Sequence, residues 1–202
     1  MKQIFEIKDK EIINAMMSNA EYGTLALCSQ DKPYSIPVNF VHEGNSIYFH
    51  GSLSGRKMKT LRENPNVSFS IVENFSLIAS YFSSTEGLAC PATQFFKSIV
   101  VDGEVSVVSE RQEKINAMTL LMQKLQPEGG YKPFEDGVYK KTLNATAVLK
   151  IEVKELRAKF KFGQHLDKER FNMILSHLEK RDSKIDQETI KMMQEMRSED
   201  GV

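Results

Sequence analysis

Short strand-like segments joined by tight turns constrain this chain more than any other feature. Residues 24–28, 34–41 and 46–50 are apolar or alternating, and the turns at 29–32 and 43–45 hold residue types that tight turns favour. Such turns join antiparallel strands, because parallel strands need a long crossover connection. Further strand-like segments follow at 67–72, 75–82, 95–108 and 145–156. About six short strands with few helices between them predict a mainly β fold of the α+β type, a small antiparallel barrel.

Apolar residues at helical spacing mark much of the remaining chain. They predict helices at 9–20, 54–64, 109–126, 167–181 and 186–197. Asp9 and Ser109 are the expected N-caps of the first and third helices. Because the last two helices follow every strand, we expect a barrel domain at 1–158 and a C-terminal helical extension at 159–202. This extension would pack on the barrel or on a partner subunit.

Charge and composition argue against several classes of protein. The 202 residues include 27 basic and 27 acidic side chains, so there is no positive excess to neutralise nucleic-acid phosphates. An apolar share of 41% with balanced charge argues against disorder. No window approaches the ~18 apolar residues of a membrane span and no signal-peptide pattern is present, so we expect a cytoplasmic protein without a membrane partner. Cys28 and Cys90 lack metal-site spacing and are expected to be small buried hydrophobes.

The segment HGSLSGRK, residues 50–57, is the strongest candidate for a binding site. It lies between the end of a predicted strand and the start of a predicted helix, where small residues let backbone N–H groups approach a ligand. The helix N-terminus and the adjacent charges of Arg56 and Lys57 favour an anion, most naturally a phosphate. The spacing is not that of a Walker A loop. The alternative is a capped helix with two solvated basic residues.

Two neighbouring features could serve a ligand at that site. His50 ends a strand of large apolar residues, and it could deliver a proton if it faced a substrate, since histidine titrates near neutral pH. A structural role or contact with a phosphate is the alternative. In residues 35–40, Pro37 interrupts the strand pattern and predicts an edge or a bulge. Such an edge could offer backbone groups to a flat heteroaromatic ligand, or it could simply be protected by the proline.

No catalytic constellation made only of protein groups is visible. The four histidines, at 42, 50, 165 and 177, show no metal-ligand spacing, and no cysteine–histidine pair or catalytic triad is indicated. If the protein is an enzyme, we therefore expect an organic cofactor to supply its reactivity, and we predict no metal site.

The order of motifs resembles a known family. Residues 33–73, PYSIPVNFVHEGNSIYFHGSLSGRKMKTLRENPNVSFSIVE, resemble the FMN-binding split-barrel proteins of the pyridoxamine 5′-phosphate oxidase-like superfamily. The motifs P-Y-x-x-P-x-N-F, Y-F-H, G-R-K and N-P-x-V-x-F occur in the order typical of the branch that contains the nitroimidazole-resistance (Nim) proteins. The later blocks CPATQFFKSIVVDGEV, at 90–105, and KFKFGQHL, at 159–166, extend the resemblance.

This resemblance implies a six-stranded split β-barrel that forms a homodimer with FMN at the subunit interface. It places Arg56 and Lys57 on the FMN phosphate, and His50 and Gly51 against the ribityl-phosphate tail. Around the isoalloxazine ring, partly through backbone groups, it places Pro37, Val38, Asn39 and Phe40. Plain core packing is the alternative for Val38 and Phe40. It also brings Ser98 and Gln94 to the flavin from a later strand, of the same subunit or of its partner.

Some features depart from the family pattern. The oxidase that names the superfamily ends in a segment containing Trp and Arg that helps to bind pyridoxal phosphate, whereas this chain has no Trp and ends in RSEDGV. Oxidation of vitamin B6 is therefore doubtful. Lys97 and Ser98 stand where the oxidase prefers an Arg-Gln pair. Lys161 and Gln164 are candidate substrate contacts, with an ordinary exposed linker as the alternative.

These observations lead to one main hypothesis about function. The chain is expected to be an FMN-dependent oxidoreductase that passes electrons to a small organic acceptor, as a nitroreductase of the Nim type would, with His50 as the candidate proton donor. The alternative is a non-catalytic protein that binds flavin or haem as a carrier or sensor. A regulatory role is a third hypothesis, although the zero net charge argues against direct DNA binding.

Overall fold

The computed structural model describes residues 2–198 of the chain. Its strands are β1 (Glu6–Ile7), β2 (Tyr22–Ser29), β3 (Lys32–Asn39), β4 (Val41–Glu43), β5 (Ser46–Ser52), β6 (Asn66–Ile78), β7 (Thr93–Val107) and β8 (Thr146–Lys161). Its α-helices are α1 (Lys10–Asn19), α2 (Arg56–Glu63), α3 (Arg111–Leu125), α4 (Lys140–Ala145), α5 (Lys168–Arg181) and α6 (Lys184–Ser198). Short 3₁₀ turns occupy Gln3–Phe5, Ser80–Phe82 and Gly137–Tyr139.

The predicted fold class is confirmed, an antiparallel sheet with peripheral helices. The strands of the described chain follow the order β3-β2-β6-β7-β8-β5-β4, with β1 paired to β8. The described strand count is eight rather than the predicted six. One reason is that β1 and β4 have only two and three residues, too few to show an alternating pattern. A separate difference is that residues 66–78 form one strand, whereas the sequence indicated a break after residue 72. Glu73 and Asn74 interrupt the apolar alternation but not the strand backbone.

The predicted meander begins with the hairpin of β2 and β3. Its register runs from Ser29 opposite Lys32 to Tyr22 opposite Asn39. Gln30 and Asp31 both have positive φ, 52° and 57°, which is the backbone of a type I′ hairpin turn. As the edge prediction required, β3 stands at one end of the strand order.

Helix capping differs between the two predicted N-caps. The Asp9 carboxylate accepts hydrogen bonds from the backbone N–H groups of Glu11 and Ile12, so that prediction is confirmed. The prediction for Ser109 is wrong, because α3 begins one residue later than such a cap requires and Glu110 occupies the cap position without a side-chain bond. The prediction for the cysteines is also wrong, since both Cys28 and Cys90 are exposed.

The described chain separates into two compact units. The main unit comprises residues 9–71 and 99–157, and the terminal unit comprises residues 2–8, 72–98 and 158–198. Large aromatic residues form the core of each, with Phe40, Phe49 and Phe69 buried in the main unit and Phe95 and Phe162 in the terminal unit. The division into domains at 158/159 stays a prediction, and residues 199–202 of the predicted extension lie outside the described residues. No helix within 2–198 is long and apolar enough to cross a membrane.

Candidate functional site

The connection from β5 to α2 forms an open turn at the start of a helix. Gly55 has a φ of 98°, a conformation that residues with a Cβ rarely adopt, and it precedes the first residue of α2. Among the described residues, no side chain caps α2. The first backbone N–H groups of an uncapped helix have no intrahelical acceptor, so those of α2 can donate to an anion.

The two basic residues at this turn are held in different ways. The guanidinium carbon of Arg56 lies 4.2 Å from the centre of the Tyr34 ring on β3, and its Nη2 lies 3.5 Å from the carbonyl oxygen of Pro33. The ammonium of Lys57 lies 5.4 Å from the centre of the Phe49 ring. Both charges therefore rest on aromatic faces at the N-terminal end of α2.

Gly51 makes room for the ammonium of Lys57. A Cβ atom at position 51 would lie 2.2 Å from Lys57 Nζ, which is closer than atoms can approach. Lys57 is half-buried, and this burial lowers the pKa of its ammonium. A partly desolvated cation gains more from an anionic partner than a fully solvated one.

His50 lies beside this lysine at the end of β5, opposite Val148 of β8. Its side chain is exposed, but the surrounding protein partly desolvates the imidazole and lowers its pKa. The charge of Lys57 lowers the pKa further. At neutral pH the imidazole is therefore mostly neutral, and it can donate one hydrogen bond and accept another.

The predicted ring contacts on β3, and Phe40 directly after it, have three different environments. Pro37 and Asn39 are exposed, and Val38 is half-buried opposite Gly23 of β2. The Asn39 amide already donates to the carbonyl oxygen of Glu21, at 3.0 Å. Phe40 is fully buried in contact with the Phe69 ring, at 5.0 Å between ring centres, so its side chain is a core residue and only its backbone could reach a ligand.

The two remaining predicted residues belong to the terminal unit. Gln94 and Ser98 both lie on β7, and both are half-buried. The Gln94 amide nitrogen donates to the carbonyl oxygen of Phe75, which ties the side chain to neighbouring backbone. The other eight predicted residues lie in the main unit, where Gly51, His50 and Lys57 are brought together and Arg56 rests on β3.

Sequence reasoning missed the aromatic supports of this site and a nearby lysine. Tyr34 and Phe49 were expected only as strand residues. Lys124 of α3 places its ammonium 3.9 Å from the centre of the Phe40 ring and donates to the carbonyl oxygen of Met17, at 3.0 Å. Burial lowers the pKa of Lys124 to about 8. A lysine three residues after the apolar Leu121, on the same helix face, was the available signal.

Several solved structures share the fold of this chain. A candidate 5-nitroimidazole antibiotic resistance protein from Bacteroides thetaiotaomicron is 20% identical, covers 76% of this chain and 85% of its own, and has a TM-score of 0.61. A flavocytochrome from Azotobacter vinelandii is 22% identical with a TM-score of 0.66, over 85% of this chain and 77% of that one. An FAD- and haem-binding protein from Mycobacterium smegmatis is 18% identical with a TM-score of 0.64, over 78% and 74%. At these identities the likeness shows the fold alone.

Sequence comparison identifies the family. An uncharacterised protein of Rhizobium meliloti (strain 1021) is 30% identical over 133 residues, which cover 63% of this chain and 77% of the relative. The family model described as pyridoxamine 5′-phosphate oxidase matches residues 9–160. That match takes in β2 to β7, the turn before α2 and nearly all of β8. The chain therefore belongs to the pyridoxamine 5′-phosphate oxidase family.

Proposed function

We propose that this chain is an FMN-binding flavoprotein that passes electrons to a small organic acceptor. The observation that carries the proposal is the uncapped N-terminus of α2, whose first two residues are the basic Arg56 and Lys57. Two proteins that share the fold bind flavin or are flavocytochromes, which supports a flavin as the ligand. FMN ends in a phosphate, and a phosphate is the group that such a helix end binds best.

The residues around α2 fit the phosphate of FMN. Arg56 would hold it with charge-assisted hydrogen bonds, while the partly desolvated ammonium of Lys57 would supply the second charge. The missing side chain at Gly51 leaves the Lys57 ammonium free to face the ligand. His50, exposed beside Lys57, is positioned to contact the tail of the ligand and to hold or release a proton at an imidazole nitrogen.

The edge strand β3 would border the flat ring of the flavin. Pro37 lacks a backbone N–H and so disfavours pairing with a further strand at its position, while the backbone groups of Val38 and Phe40 are candidate ring contacts. The side chain of Phe40 would support this strand from the core. Ser98 and Gln94 stay proposed contacts from β7. When bound, the flavin would supply the redox chemistry, taking up electrons from a donor and giving them to the acceptor.

We further propose that two copies of the chain form a dimer with FMN at their interface. Except for Lys32, which strand alternation puts on the other face, the exposed residues of β2 and β3 lie opposite one another in register and alternate with buried residues on β2 and half-buried residues on β3. They are Tyr22, Thr24, Ala26, Cys28, Pro33, Ser35, Pro37 and Asn39, which we call the β2–β3 face. This face carries no charged residue, as the centre of a protein interface commonly does not.

A non-catalytic flavin or haem carrier is the second candidate. It is favoured by the haem content of the M. smegmatis protein and by the name flavocytochrome for the A. vinelandii protein. Turnover distinguishes the two candidates. The flavin of the anaerobic FMN-loaded protein would be reduced by light with EDTA as the electron donor before each addition of a nitroaromatic acceptor. The acceptor should reoxidise the flavin of an oxidoreductase in every cycle, whereas the flavin of a carrier should stay reduced.

The first test is cofactor retention in solution. Wild-type protein mixed with FMN and then desalted should keep the absorbance bands of a bound flavin. Arg56→Ala combined with Lys57→Ala removes two charge-assisted contacts worth about 1.5–3 kcal/mol each, so affinity should fall at least about 100-fold. Lys59→Ala is the matched control, because Lys59 is an exposed cation on the same helix but away from its N-terminus.

Two results would count against the proposal. Wild-type protein that fails to retain added FMN would contradict flavin binding itself. Unchanged affinity in the Arg56/Lys57 double variant would contradict the assignment of the phosphate to α2. A Soret band in the purified protein would favour the haem carrier instead.

A further inference from the structure

A cavity with basic residues in its wall lies within the terminal unit. It has a volume of about 230 Å³ and is lined by residues from the loop before β7, the end of β8 and the start of α5. Three of its lining residues are basic, namely Lys161, His165 and Arg170. Among the described residues that line it, there is no aspartate or glutamate. The cavity therefore gathers positive charge without a carboxylate in its wall.

The polar groups of this cavity are held in place by the fold. Lys161, the last residue of β8, donates from its ammonium to the hydroxyl of Thr93, the first residue of β7. Arg170 donates from Nε to the carbonyl oxygen of Ser83, at 3.1 Å, which fixes its guanidinium while the Nη groups remain outside that bond. The Asp167 carboxylate is used on the backbone, where it caps α5 by accepting from the N–H of Arg170.

The turn after β8 brings the histidine to the same cavity. Gly163 has a φ of 83°, and Gln164 closes the turn by accepting from the N–H of Phe162 and donating to the carbonyl oxygen of Phe160. Gln164 was a candidate substrate contact, but its amide is engaged with the backbone of the turn. The ring of His165 meets the Phe5 ring edge to face, at 5.2 Å. The end of β8 and the turn that follows it thus place Lys161 and His165 in the wall of the cavity.

The positive charges at the cavity repel one another. Burial lowers the pKa of Lys161, and the charge of Lys159 lowers it further. Burial is also the main reason that the pKa of His165 is lowered, followed by the charges of Lys161, Lys2 and Arg170. Partial removal from water and mutual repulsion both disfavour the charged forms of these side chains. A bound anion would offset both effects, because it supplies the opposite charge.

From this geometry we propose that Lys161, Arg170 and His165 form a binding site for an oxyanion, the phosphate or carboxylate end of a small molecule. The donors left to the ligand are the Nη groups of Arg170, the remaining protons of the Lys161 ammonium and an imidazole nitrogen of His165. The volume is below the ~300–1,000 Å³ of most ligand pockets. The cavity therefore suits an anionic end group rather than a flavin ring, and the site is separate in its residues from the one at α2.

Cys90 provides a direct measurement, because it lines this cavity and is exposed. The full-length protein would be alkylated with a neutral maleimide at constant ionic strength, and mass spectrometry would follow Cys90 and added N-acetylcysteine separately. Bound inorganic phosphate should slow alkylation of Cys90 at least about tenfold when the site is nearly filled. N-acetylcysteine added to the same sample is the internal control and should react at an unchanged rate. Cys28 on β2 does not serve as the control, because it belongs to the proposed dimer face.

Variants connect this protection to the named residues. Lys161→Gln and Arg170→Gln should each raise the phosphate concentration needed for half-protection by about tenfold, the effect of losing one charged contact. If Arg170→Gln fails to fold because it loses its bond to Ser83, Lys161→Gln still tests the proposal. Lys168→Gln is the matched control, because this exposed cation of α5 does not line the cavity and should leave protection unchanged.

Comparing phosphate with succinate identifies which anionic group the site binds. Protection by phosphate but not by succinate supports a phosphate site, and the reverse supports a carboxylate site. Protection that persists in the Arg56→Ala, Lys57→Ala double variant would separate this site from the proposed FMN site. Unchanged Cys90 alkylation with both anions would overturn the proposal. Equal slowing of Cys90 and N-acetylcysteine, or full protection in Lys161→Gln, would overturn it as well.

Discussion

At the scale of single residues, the candidate site depends on an absent side chain as much as on charged ones. Lys57 can place its ammonium beside Gly51 only because position 51 has no Cβ, and this placement partly desolvates the ammonium. Its neighbour Arg56 instead rests on Tyr34 and remains exposed. Two adjacent basic residues therefore present charge from two different surroundings.

Gly51→Ala tests this arrangement. The new methyl group should push the Lys57 ammonium, the flexible end of a long side chain, out of its position with little effect on stability. FMN affinity should fall about tenfold, the weakening expected when one charged contact is lost. Isothermal titration with FMN measures the affinity, and thermal unfolding checks the fold.

A double-mutant cycle supplies the control for that prediction. If Gly51→Ala acts through Lys57, adding it to Lys57→Ala should cause almost no further loss of FMN affinity. Additive losses would mean that position 51 affects the ligand directly. An unchanged affinity in Gly51→Ala alone would mean that the observed position of Lys57 is not needed.

At the scale of secondary-structure elements, a buried polar cluster joins α5, α6 and β6 within the terminal unit. Asp186 is fully buried, and its carboxylate accepts two bonds from the Arg181 guanidinium, at 2.5 and 2.8 Å. It also accepts from the hydroxyls of Ser76, at 2.5 Å, and Ser183, at 2.6 Å. Thr189 of α6 donates to the Ser76 hydroxyl, at 2.9 Å. The cluster therefore connects the helix pair to the sheet strand that precedes it by about a hundred residues.

Asp186→Asn should lower the free energy of unfolding by about 3 kcal/mol at neutral pH, because it leaves a charged guanidinium facing a neutral amide. The bond from Arg181, and then the hydroxyls of Ser183 and Ser76, hold the pKa of Asp186 well below its usual range, against the effect of burial. A carboxyl with a lowered folded-state pKa stabilises the protein above its unfolded pKa of about 4, and this stabilisation is lost as pH falls further. The difference between wild type and variant should therefore shrink below about pH 4.

Urea unfolding across this pH range measures the difference. Asp182→Asn is the control, since Asp182 is exposed in a left-handed conformation that asparagine accepts readily. Its effect should stay within about 0.5 kcal/mol. A loss in Asp186→Asn that is independent of pH down to about pH 2 would contradict an ionised Asp186 as the source of stability.

At the scale of the whole molecule, the β2–β3 face is the surface that a second copy is proposed to cover. Charge begins at its border, because the groove next to Ala26, Cys28 and Pro33 is also lined by Asp102, Glu104 and Lys154. An uncharged centre with a charged rim is the usual arrangement of a protein interface. Tyr22, at 60% exposure, is the large aromatic side chain on this face and a candidate anchor residue.

Thr24→Lys should convert the proposed dimer into a monomer at micromolar concentration, because Thr24 lies on this face but does not line the charged groove, so the new charge would be unpaired. Sedimentation velocity or native mass spectrometry measures the assembly. FMN retention should fall in parallel if the flavin lies at the interface. Asn116→Lys, which adds the same charge on the exposed side of α3, should remain dimeric. A monomeric wild-type protein would refute the dimer.

Much of this protein could be predicted from local sequence patterns. Alternation along β2, the hairpin turn at Gln30 and Asp31, the Asp9 cap and the glycine-rich turn before Arg56 all depend on residues close together in the chain. Periodicity reports which face of a segment is buried, and turn residues report where the backbone must reverse. These signals were sufficient for the fold class, and the phosphate site that they indicate before Arg56 stays a prediction.

The tertiary structure alone decided which distant residues share one environment. Ser76 meets Asp186 across 110 positions, the loop at Cys90 meets Arg170 in one cavity, and Lys124 lies on the ring of Phe40. It also decided that Phe40 is core and that both cysteines are exposed. Residue type and spacing leave such outcomes open, because burial, charge repulsion and steric room at a site depend on side chains that the packing of separate elements brings together.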